Sequence, residues 1–289
     1  MEINELNTEV SRLGECRIPS PMSRVQVVSD DEHLLYHSNL KDIEAYQGAG
    51  ERPPYFEMAG PRERIYFDPS KLKCGIVTCG GICPGLNDVV RAIVMGLHYH
   101  YGVRTVFGFG YGYEGLSSKY GHVPMELTPD MVEDAHEKGG TILGSSRGAQ
   151  DISEMVGTLE RMNAGILFTV EGDGTLRGAQ AIAEEVARWN LKVGVVGIPK
   201  TIDNKYIDPS YTIRSMPAIP HDSGFCLLLG HNAVHAGMAG RTNMVVGFWK
   251  NEFTHVPIPM AVSRRKKIDP KGRLWSNVLA CRGQPGEMR

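Results

Sequence analysis

Several short segments of the chain combine glycine with hydroxyl and charged side chains. The segment GGTILGSSRG (139–148) contains Arg147, whose guanidinium has a fixed charge and can donate to two oxygens of one anion. In EGDGTLRG (171–178), Asp173 stands between two glycines, where a carboxylate can hold Mg²⁺ through water while backbone amides surround phosphate groups. Both patterns are typical of a site for a phosphorylated ligand.

Two further segments extend this pattern. TCGGICPGLND (78–88) has consecutive glycines ahead of a predicted helix, so that backbone N–H groups and the positive end of the helix can face an anion. In PKTIDN (199–204), Asp203 is suited to take a proton from a substrate hydroxyl, and Lys200 to stabilise charge on a transferring phosphoryl group. Phosphoryl transfer needs mainly positioning and charge neutralisation, which these residue types can supply.

Each segment also has a purely structural explanation. TCGGICPGLND matches neither the dinucleotide-binding fingerprint nor the P-loop, and an ordinary strand-to-helix turn would account for it. A single Arg147 is most often a solvated surface residue. EGDGTLRG can be an Asp-Gly turn in which Thr175 caps the following helix. The joint order of all four segments on one predicted sheet favours the phosphate site over these alternatives.

The apolar pattern from residue 74 onward predicts an α/β fold with a doubly wound, Rossmann-like parallel sheet. Buried parallel strands are short apolar runs, whereas helices repeat apolar residues every three or four positions. In such a sheet, turns at the carboxyl ends of the strands lie where ligands bind. The predicted strands are 74–79, 104–109, 164–170, 192–199 and 243–249, and the predicted helices begin at Pro84 or cover 152–163, 175–189, 222–238 and about 271–281.

The composition excludes several classes of function. The 289 residues include 31 Lys and Arg against 33 Asp and Glu, a net charge of −2 that gives no basic field for nucleic acid or an anionic membrane. No apolar run approaches the roughly 20 residues of a membrane span, and the first residues are too polar for a signal peptide. Six cysteines are too few for a disulfide framework, which predicts reduced thiols in a cytoplasmic protein. The pair Cys79 and Cys83 lacks further ligands at zinc spacing.

Taken in order, TCGGICPGLND, GGTILGSSRG, GDGTLRGA and PKTIDN resemble the phosphofructokinase family, and its long ATP-dependent 6-phosphofructokinase branch in particular. The resemblance includes AGPRERIYFDPSK before the first strand and KYIDPSYTIRS and HNAVHAGMAGRTNMVVGFW after the last motif. It covers about residues 56 to 285. It implies an oligomeric, cytoplasmic enzyme of glycolysis that uses Mg²⁺ and ATP to convert fructose 6-phosphate into fructose 1,6-bisphosphate.

The resemblance also implies roles for individual residues. Asp203 matches the base that deprotonates the sugar 1-hydroxyl, Lys200 and Arg147 steady the transferring phosphoryl group, and Asp173 binds Mg²⁺. The residues that match ATP contacts are Gly81, Arg147, Gly148, Gly172, Asp173, Gly174 and Thr175, and those that match substrate contacts are Thr201, Ile202, Asp203, Tyr211, Thr212, Ile213 and Arg214, with Arg214 facing the sugar phosphate.

With this resemblance, the chain divides into three parts. Residues 1–70, in which Pro, Glu and Arg are interleaved without apolar periodicity, are predicted to be an irregular N-terminal extension. Residues 71–204 are predicted to be a nucleotide-binding α/β domain. Residues 205–289 are too few for a second full α/β domain and are interpreted as the remnant of a substrate domain with a C-terminal segment.

The sequence departs from the family pattern at two places. Glu171 stands where the family has glycine, and its carboxylate would repel ATP or compete for Mg²⁺. Asn204 is followed directly by Lys205, whereas the family has a long segment between these positions that includes the Met-Gly-Arg substrate loop. The pattern therefore predicts an internal deletion between these two residues.

Four functional hypotheses follow. The first is an ATP-dependent 6-phosphofructokinase, favoured over its pyrophosphate-dependent relatives because they typically carry Asp at the position of Gly174. The second is an impaired deletion form that binds nucleotide or full-length subunits. The third is a pyrophosphate-dependent phosphofructokinase, a group that shares Lys200. The fourth is a kinase with a different acceptor, since the GDGT turn also occurs in NAD and lipid kinases.

Overall fold

A computed structural model of the chain describes residues 7–22, 25–170, 172–200 and 211–263, together with residues 272, 275, 276 and 279. Its strands are β1 (Ser11–Arg12), β2 (Ile18–Pro19), β3 (His33–Leu35), β4 (Tyr55–Met58), β5 (Arg64–Ile65), β6 (Lys73–Thr78), β7 (Thr105–Phe109), β8 (Met125–Glu126), β9 (Ile166–Val170), β10 (Gly194–Ile198), β11 (Arg241–Thr242), β12 (Met244–Trp249) and β13 (Glu252–Pro257).

The α-helices are α1 (Leu40–Gly48), α2 (Leu86–Met95), α3 (Pro129–Val132), α4 (Ile152–Arg161), α5 (Asp173–Arg188), α6 (Tyr211–Arg214), α7 (Pro220–Met238) and α8 (Ile258–Ser263). A π-helical turn at Gly96–Tyr101 continues α2, and short 3₁₀ turns cover Gly112–Leu116, Ser118–Tyr120 and Ala135–Glu137. Within the described residues, no helix is both long enough and apolar enough to cross a membrane.

Nine strands form one mixed sheet in the order β3-β4-β13-β12-β10-β9-β6-β7-β8. The five central strands, from β12 to β7, are parallel, and the strands at both edges are antiparallel. Counted along the chain, the parallel strands have the order 2-1-3-4-5, which is a doubly wound α/β arrangement. The predicted fold class is confirmed, with antiparallel edges in addition.

Helices cover both faces of this sheet and enclose two apolar cores. On one face α2 and α7 pack together over β6, β9 and β10, and a β-carbon at Gly230 would come within 2.5 Å of Ala92 Cβ. On the other face α4, α5 and α8 cover the sheet around Leu167 and Val195. The buried strands are the apolar runs of the sequence, because both of their faces are covered.

The structure corrects two expectations about the elements. Residues 1–70 are not irregular throughout, since β3, β4 and α1 lie within them. The strands β3 and β4 extend the main sheet at one edge. The helix predicted to open at Pro84 begins at Leu86 instead, because Gly85 has a left-handed backbone with φ 91°. Strands from all three predicted parts share one sheet, while the division into domains stays a prediction. The predicted terminal helix lies almost wholly outside the described residues.

Candidate active site

The carboxyl ends of β6 and β9 meet at the centre of the sheet. Thr78 pairs with Val170 in parallel register, and the Cys79 amide donates to the Val170 carbonyl at 3.3 Å. The strand order reverses between these two strands, and α/β sheets bind their ligands in the crevice at such a switch point. The first Gly-rich turn follows β6 and the third follows β9, so both line this crevice.

Thr175 joins the third turn to the first. Its hydroxyl donates to the Cys79 carbonyl at 3.1 Å, and its own carbonyl accepts from Tyr113 Oη at 2.7 Å. Burial raises the pKa of Tyr113 well above its ordinary value, so the phenol stays protonated and donates. Thr175 therefore does not cap α5, which begins at Asp173 with Gly172 as its N-cap.

The second turn is hydrogen-bonded to the first as well. The Gly80 amide donates to the Ser146 carbonyl at 3.1 Å, and Ser145 Oγ donates to the Gly80 carbonyl at 2.8 Å. At the strand end, Thr78 Oγ1 lies 2.9 Å from Thr141 Oγ1 and donates to the Gly144 carbonyl at 2.9 Å. These bonds fix the three Gly-rich turns relative to one another.

Arg147 and Arg214 approach the first turn from opposite parts of the chain. A β-carbon at Gly81 would lie 3.3 Å from Arg147 Nη2 and 3.5 Å from Arg214 Nη1. Arg214 Nη1 also donates to the Ile82 carbonyl at 3.4 Å. Gly148 follows Arg147 with φ 129°, a conformation that glycine adopts without strain. Two guanidinium groups thus stand beside Gly81, which is half-buried.

Lys200 lies at the carboxyl end of β10 with only 7 % of its surface exposed. Its Nζ is 3.3 Å from Asp222 Oδ2, in the first turn of α7. The neighbouring Cys226 is buried, and burial raises the pKa of its thiol to about 12, so that it stays protonated at neutral pH. The lysine is therefore held at the edge of the crevice by one carboxylate.

Asp173 is exposed in the first turn of α5. β-Carbons at Gly172 and Gly174 would meet no atom of the described residues within 4 Å, so this part of the chain leaves the space around the carboxylate open. Among the described residues, no group of three His, Cys, Asp or Glu side chains could hold a metal ion. This arrangement fits Mg²⁺, which binds through one or two carboxylates and the phosphates of a substrate.

The structure brings together most of the predicted donor-site residues and leaves part of the acceptor site undescribed. Gly81, Arg147, Thr175 and Lys200 lie on connected turns at the carboxyl edge. Tyr211, Thr212, Ile213 and Arg214 form the short helix α6. Glu171, Thr201, Ile202 and Asp203 lie outside the described residues.

Sequence reasoning missed two residues that position this site. Tyr113 holds the Thr175 carbonyl, and Asp222 pairs with Lys200. Tyr113 stands in the Gly-rich segment GFGYGYEG (108–115), which sequence reasoning did not single out, whereas Asp222 stands outside any such segment. The glycines around Tyr113 could have indicated a turn after a strand, but neither residue's contact with its site partner can be read from a local pattern.

Comparison with known proteins decides the family. A family model described as "Phosphofructokinase" matches residues 73–219. The chain belongs to the phosphofructokinase family. The ATP-dependent 6-phosphofructokinase of Borreliella burgdorferi is 31% identical over 438 residues, covering 98% of this chain and 98% of the relative. The enzyme of Amycolatopsis methanolica is 30% identical over 436 residues, which cover 96% of this chain and 95% of the relative. The enzyme of Entamoeba histolytica is 47% identical over 230 residues, which cover 79% of this chain and 50% of the relative.

Solved phosphofructokinases share the fold. The T-state enzyme of Pichia pastoris superposes with a TM-score of 0.58 at 16% identity, covering 67% of this chain and 35% of that chain. The Saccharomyces cerevisiae enzyme gives 0.54 at 17% identity, covering 67% and 45%. The chain thus spans less than half the length of these two solved phosphofructokinase chains. At this identity the likeness concerns the fold alone.

The alignments also bear on the length of the chain. The Borreliella burgdorferi alignment extends over 438 positions, whereas this phosphofructokinase has 289 residues. A long stretch of the relative therefore has no counterpart here, although both ends are matched. The location of that gap between Asn204 and Lys205 stays a prediction.

Proposed function

We propose that this chain is an ATP-dependent 6-phosphofructokinase, which transfers the terminal phosphoryl group of ATP to the 1-hydroxyl of fructose 6-phosphate. The observation that carries the proposal is the set of three Gly-rich turns that hydrogen bonds join at the switch point of the sheet. Relatives that match nearly the whole chain have the same activity in their names.

The donor would lie along these turns. Gly81, Arg147 and Gly148 would contact its phosphates from the first two turns, and Gly172, Asp173, Gly174 and Thr175 from the third. Asp173 would hold Mg²⁺. When bound, this ion would neutralise negative charge on the phosphate oxygens. Lys200 and Arg147 would stabilise charge on the transferring group, because fixed cations at the reacting centre lower the barrier to phosphoryl transfer.

The acceptor would lie on the α6 side. Asp203 would take the proton from the sugar 1-hydroxyl, with Thr201 and Ile202 beside it. Tyr211, Thr212, Ile213 and Arg214 would contact the sugar, with Arg214 facing its phosphate. The assignment of the base rests on the PKTIDN motif, because residues 201–210 lie outside the described part of the chain. We also propose self-association and a cytoplasmic location, which the family resemblance implies.

The choice of donor follows from Gly174. The open space beside this residue leaves room for a nucleotide, whereas an aspartate here would bring bulk and negative charge against its α-phosphate. We therefore propose ATP rather than pyrophosphate. An assay that couples fructose 1,6-bisphosphate to NADH oxidation tests this, with ATP or pyrophosphate as donor. Turnover with pyrophosphate alone would contradict the assignment.

One specific observation favours a second candidate, an impaired form that binds nucleotide or full-length subunits. A long stretch of the relatives has no counterpart in this chain, and Glu171 replaces a glycine of the phosphate turn. Under this alternative Mg·ATP binds without turnover. If the carboxylate opposes the donor, Glu171→Gly binds Mg·ATP more tightly in calorimetry. Clear turnover of the unchanged chain with ATP would exclude the impaired form.

A further inference from the structure

One side of α7 is exposed and apolar. Gly224, Leu227 and Leu228 lie on it together, because residues three and four positions apart share one side of a helix. Leu228 is 48% exposed, and a β-carbon at Gly224 would meet no atom of the described residues within 4 Å. The exposed Phe248 of β12 borders this side, since its ring lies 5.1 Å from that of Phe225. These five residues form the α7 face.

The composition of α7 is that of a helix covered on all sides. Its 19 residues contain one acidic residue, Asp222, and neither lysine nor arginine. A helix with one side in water normally carries charged residues there, as α5 does with the exposed Arg177, Glu184 and Arg188. The inner side of α7 already packs on α2. An outer side without charged residues therefore indicates that a further partner covers it.

We infer that the α7 face binds the same face of a second copy of this chain and so forms a two-fold symmetric dimer. The inference rests on the self-association proposed above and assigns it a surface, and it needs nothing from the donor site. In a two-fold interface, residue i of one copy contacts residue j of the other, and the reverse holds as well. Gly224 and Leu228 suit such a pair, because the open space beside the glycine can accept the leucine of the other copy.

Electrostatics permits this pairing. When each Leu228 lies against the Gly224 of the other copy, the two α7 helices run antiparallel, and the positive end of each macrodipole lies beside the negative end of the other. Asp222, the one carboxylate of α7, is paired with Lys200 at 3.3 Å. The whole chain has a net charge of −2, so two copies repel each other only weakly.

Other partners fit the α7 face less well. An anionic membrane or a nucleic acid needs basic residues, and α7 has no lysine or arginine. A full-length relative contains a domain-sized stretch that this chain lacks, since the Borreliella burgdorferi alignment extends over 438 positions against 289 residues here. Such a stretch is covalently linked to its own chain, so it competes with any partner at a high effective concentration. A second copy has no such competitor.

Sedimentation velocity tests the dimer. The full chain is measured from about 1 to 100 μM, because association depends on protomer concentration, and the mass of two chains is expected at the upper end. Leu228→Glu brings a carboxylate into the apolar interface of each copy and should raise the dissociation constant at least about 10-fold. Val123→Glu, at a side chain that is 86% exposed ahead of β8, is the matched control and should leave the constant unchanged. A chain that stays monomeric, or a dimer that Leu228→Glu leaves intact, would overturn the inference.

A mixing experiment tests the register and guards against misfolded variants. Gly224→Lys fills the space beside Gly224 and should also prevent the dimer. In an equimolar mixture of Gly224→Lys and Leu228→Glu, the introduced lysine meets the introduced carboxylate at one contact, while the other contact keeps Leu228 against Gly224. The mixture should therefore recover the mass of two chains. Because two misfolded variants cannot restore each other in this way, a mixture that stays monomeric would overturn the inference.

The outcomes separate the α7 face from the proposed function, with calorimetry of Mg·ATP binding as the second measurement. If the unchanged chain binds Mg·ATP and stays monomeric, only the dimer is wrong. If it dimerises through the α7 face and does not bind Mg·ATP, the dimer stands and the proposed donor site is wrong. If it is monomeric alone but forms a complex with the full-length Borreliella burgdorferi enzyme, the partner is a full-length subunit, which overturns the inference.

Discussion

Arg241 and Glu57 form a buried ion pair that joins residues 184 positions apart in the sequence. Arg241 Nε lies 3.0 Å from Glu57 Oε1, and its Nη2 bonds Asp30 Oδ1 at 2.7 Å. Arg62 reaches the same carboxylate at 3.1 Å from within the N-terminal part. The N-terminal strands are thus attached to the segment after α7 by a network of charges as well as by backbone pairing.

Arg241→Met is expected to destabilise the fold by about 3 kcal/mol, because it leaves a buried carboxylate without one of its partners. Arg12→Met is the matched control. Its side chain is 43% exposed, contacts Asp30 at 2.9 Å and reaches Glu57 only at 3.6 Å, so its loss should cost less than about 1 kcal/mol. Urea titrations of both variants measure the free energy of unfolding. Equal losses would contradict the importance of the buried pair.

Glu57 should make the fold sensitive to acid. Burial alone would raise its pKa, but His255 and the Arg241 guanidinium outweigh this and hold the pKa well below the ordinary value. Arg241 is the stronger cause, since His255 Nδ1 is 3.7 Å away and burial keeps that imidazole neutral. Because the folded pKa is depressed, the stabilisation is complete above about pH 5 and declines as pH falls below it. Glu57→Gln should be less stable than the unchanged chain at pH 7 and should lose less stability between pH 5 and pH 3.

His235 provides a second pH dependence with the same sign. Burial, with the neighbouring His231 and His100, lowers the pKa of His235 to about 3. Its Nδ1 forms a hydrogen bond of 2.8 Å with Tyr101 Oη. The unfolded chain takes up this proton near pH 6.5, so stability is lost as pH falls from there towards 3, by up to about 1.4 kcal/mol per unit. His235→Gln should flatten this slope in urea titrations. His221→Gln, at the exposed start of the same helix, controls for the removal of one histidine from α7.

The central strands could be predicted from sequence, and the edges could not. The strands β6, β9 and β10 are continuous apolar runs because both faces are covered. The strand β13 escaped prediction because it is joined to β12 by a two-residue turn at Lys250 and Asn251, both with positive φ, and these residues lack the Asn-Gly signature of such turns. The two-, three- and four-residue strands near the N-terminus have no periodicity to detect.

The candidate site was predictable in its parts but not in its assembly. The Gly-rich turns were identifiable because glycine and charged residues follow apolar runs. The approach of Arg214 to Gly81 depends on how the segment at Ser215 packs against Gly139, 76 residues earlier, and no local pattern contains that contact. The same holds for Tyr113 and Thr175, which only the folded sheet brings together.

Tyr113→Phe should loosen the start of α5. The substitution leaves the Thr175 carbonyl without its donor at 2.7 Å, and a lost buried hydrogen bond costs about 1–3 kcal/mol. Because Thr175 ends the third turn, we expect the dissociation constant for Mg·ATP to rise several-fold in calorimetry. Tyr99→Phe, on a tyrosine that is 68% exposed, should change neither stability nor binding. Unchanged Mg·ATP binding in Tyr113→Phe would show that the phenol does not position the turn.

Gly85→Ala should damage both the fold and the environment of Lys200. The backbone at Gly85 is left-handed, and a β-carbon there would lie 2.6 Å from Cys226 Sγ and 2.9 Å from Lys200 Cε. Gly121→Ala is the matched control. Gly121 also has a left-handed backbone, with φ 67°, but no described atom lies near its β-carbon position, so this variant measures only the conformational cost of about 1–2 kcal/mol. Urea titration should show a clearly larger loss for Gly85→Ala, because the crowding adds to the strain. Equal losses in the two variants would mean that Cys226 and Lys200 move aside without cost.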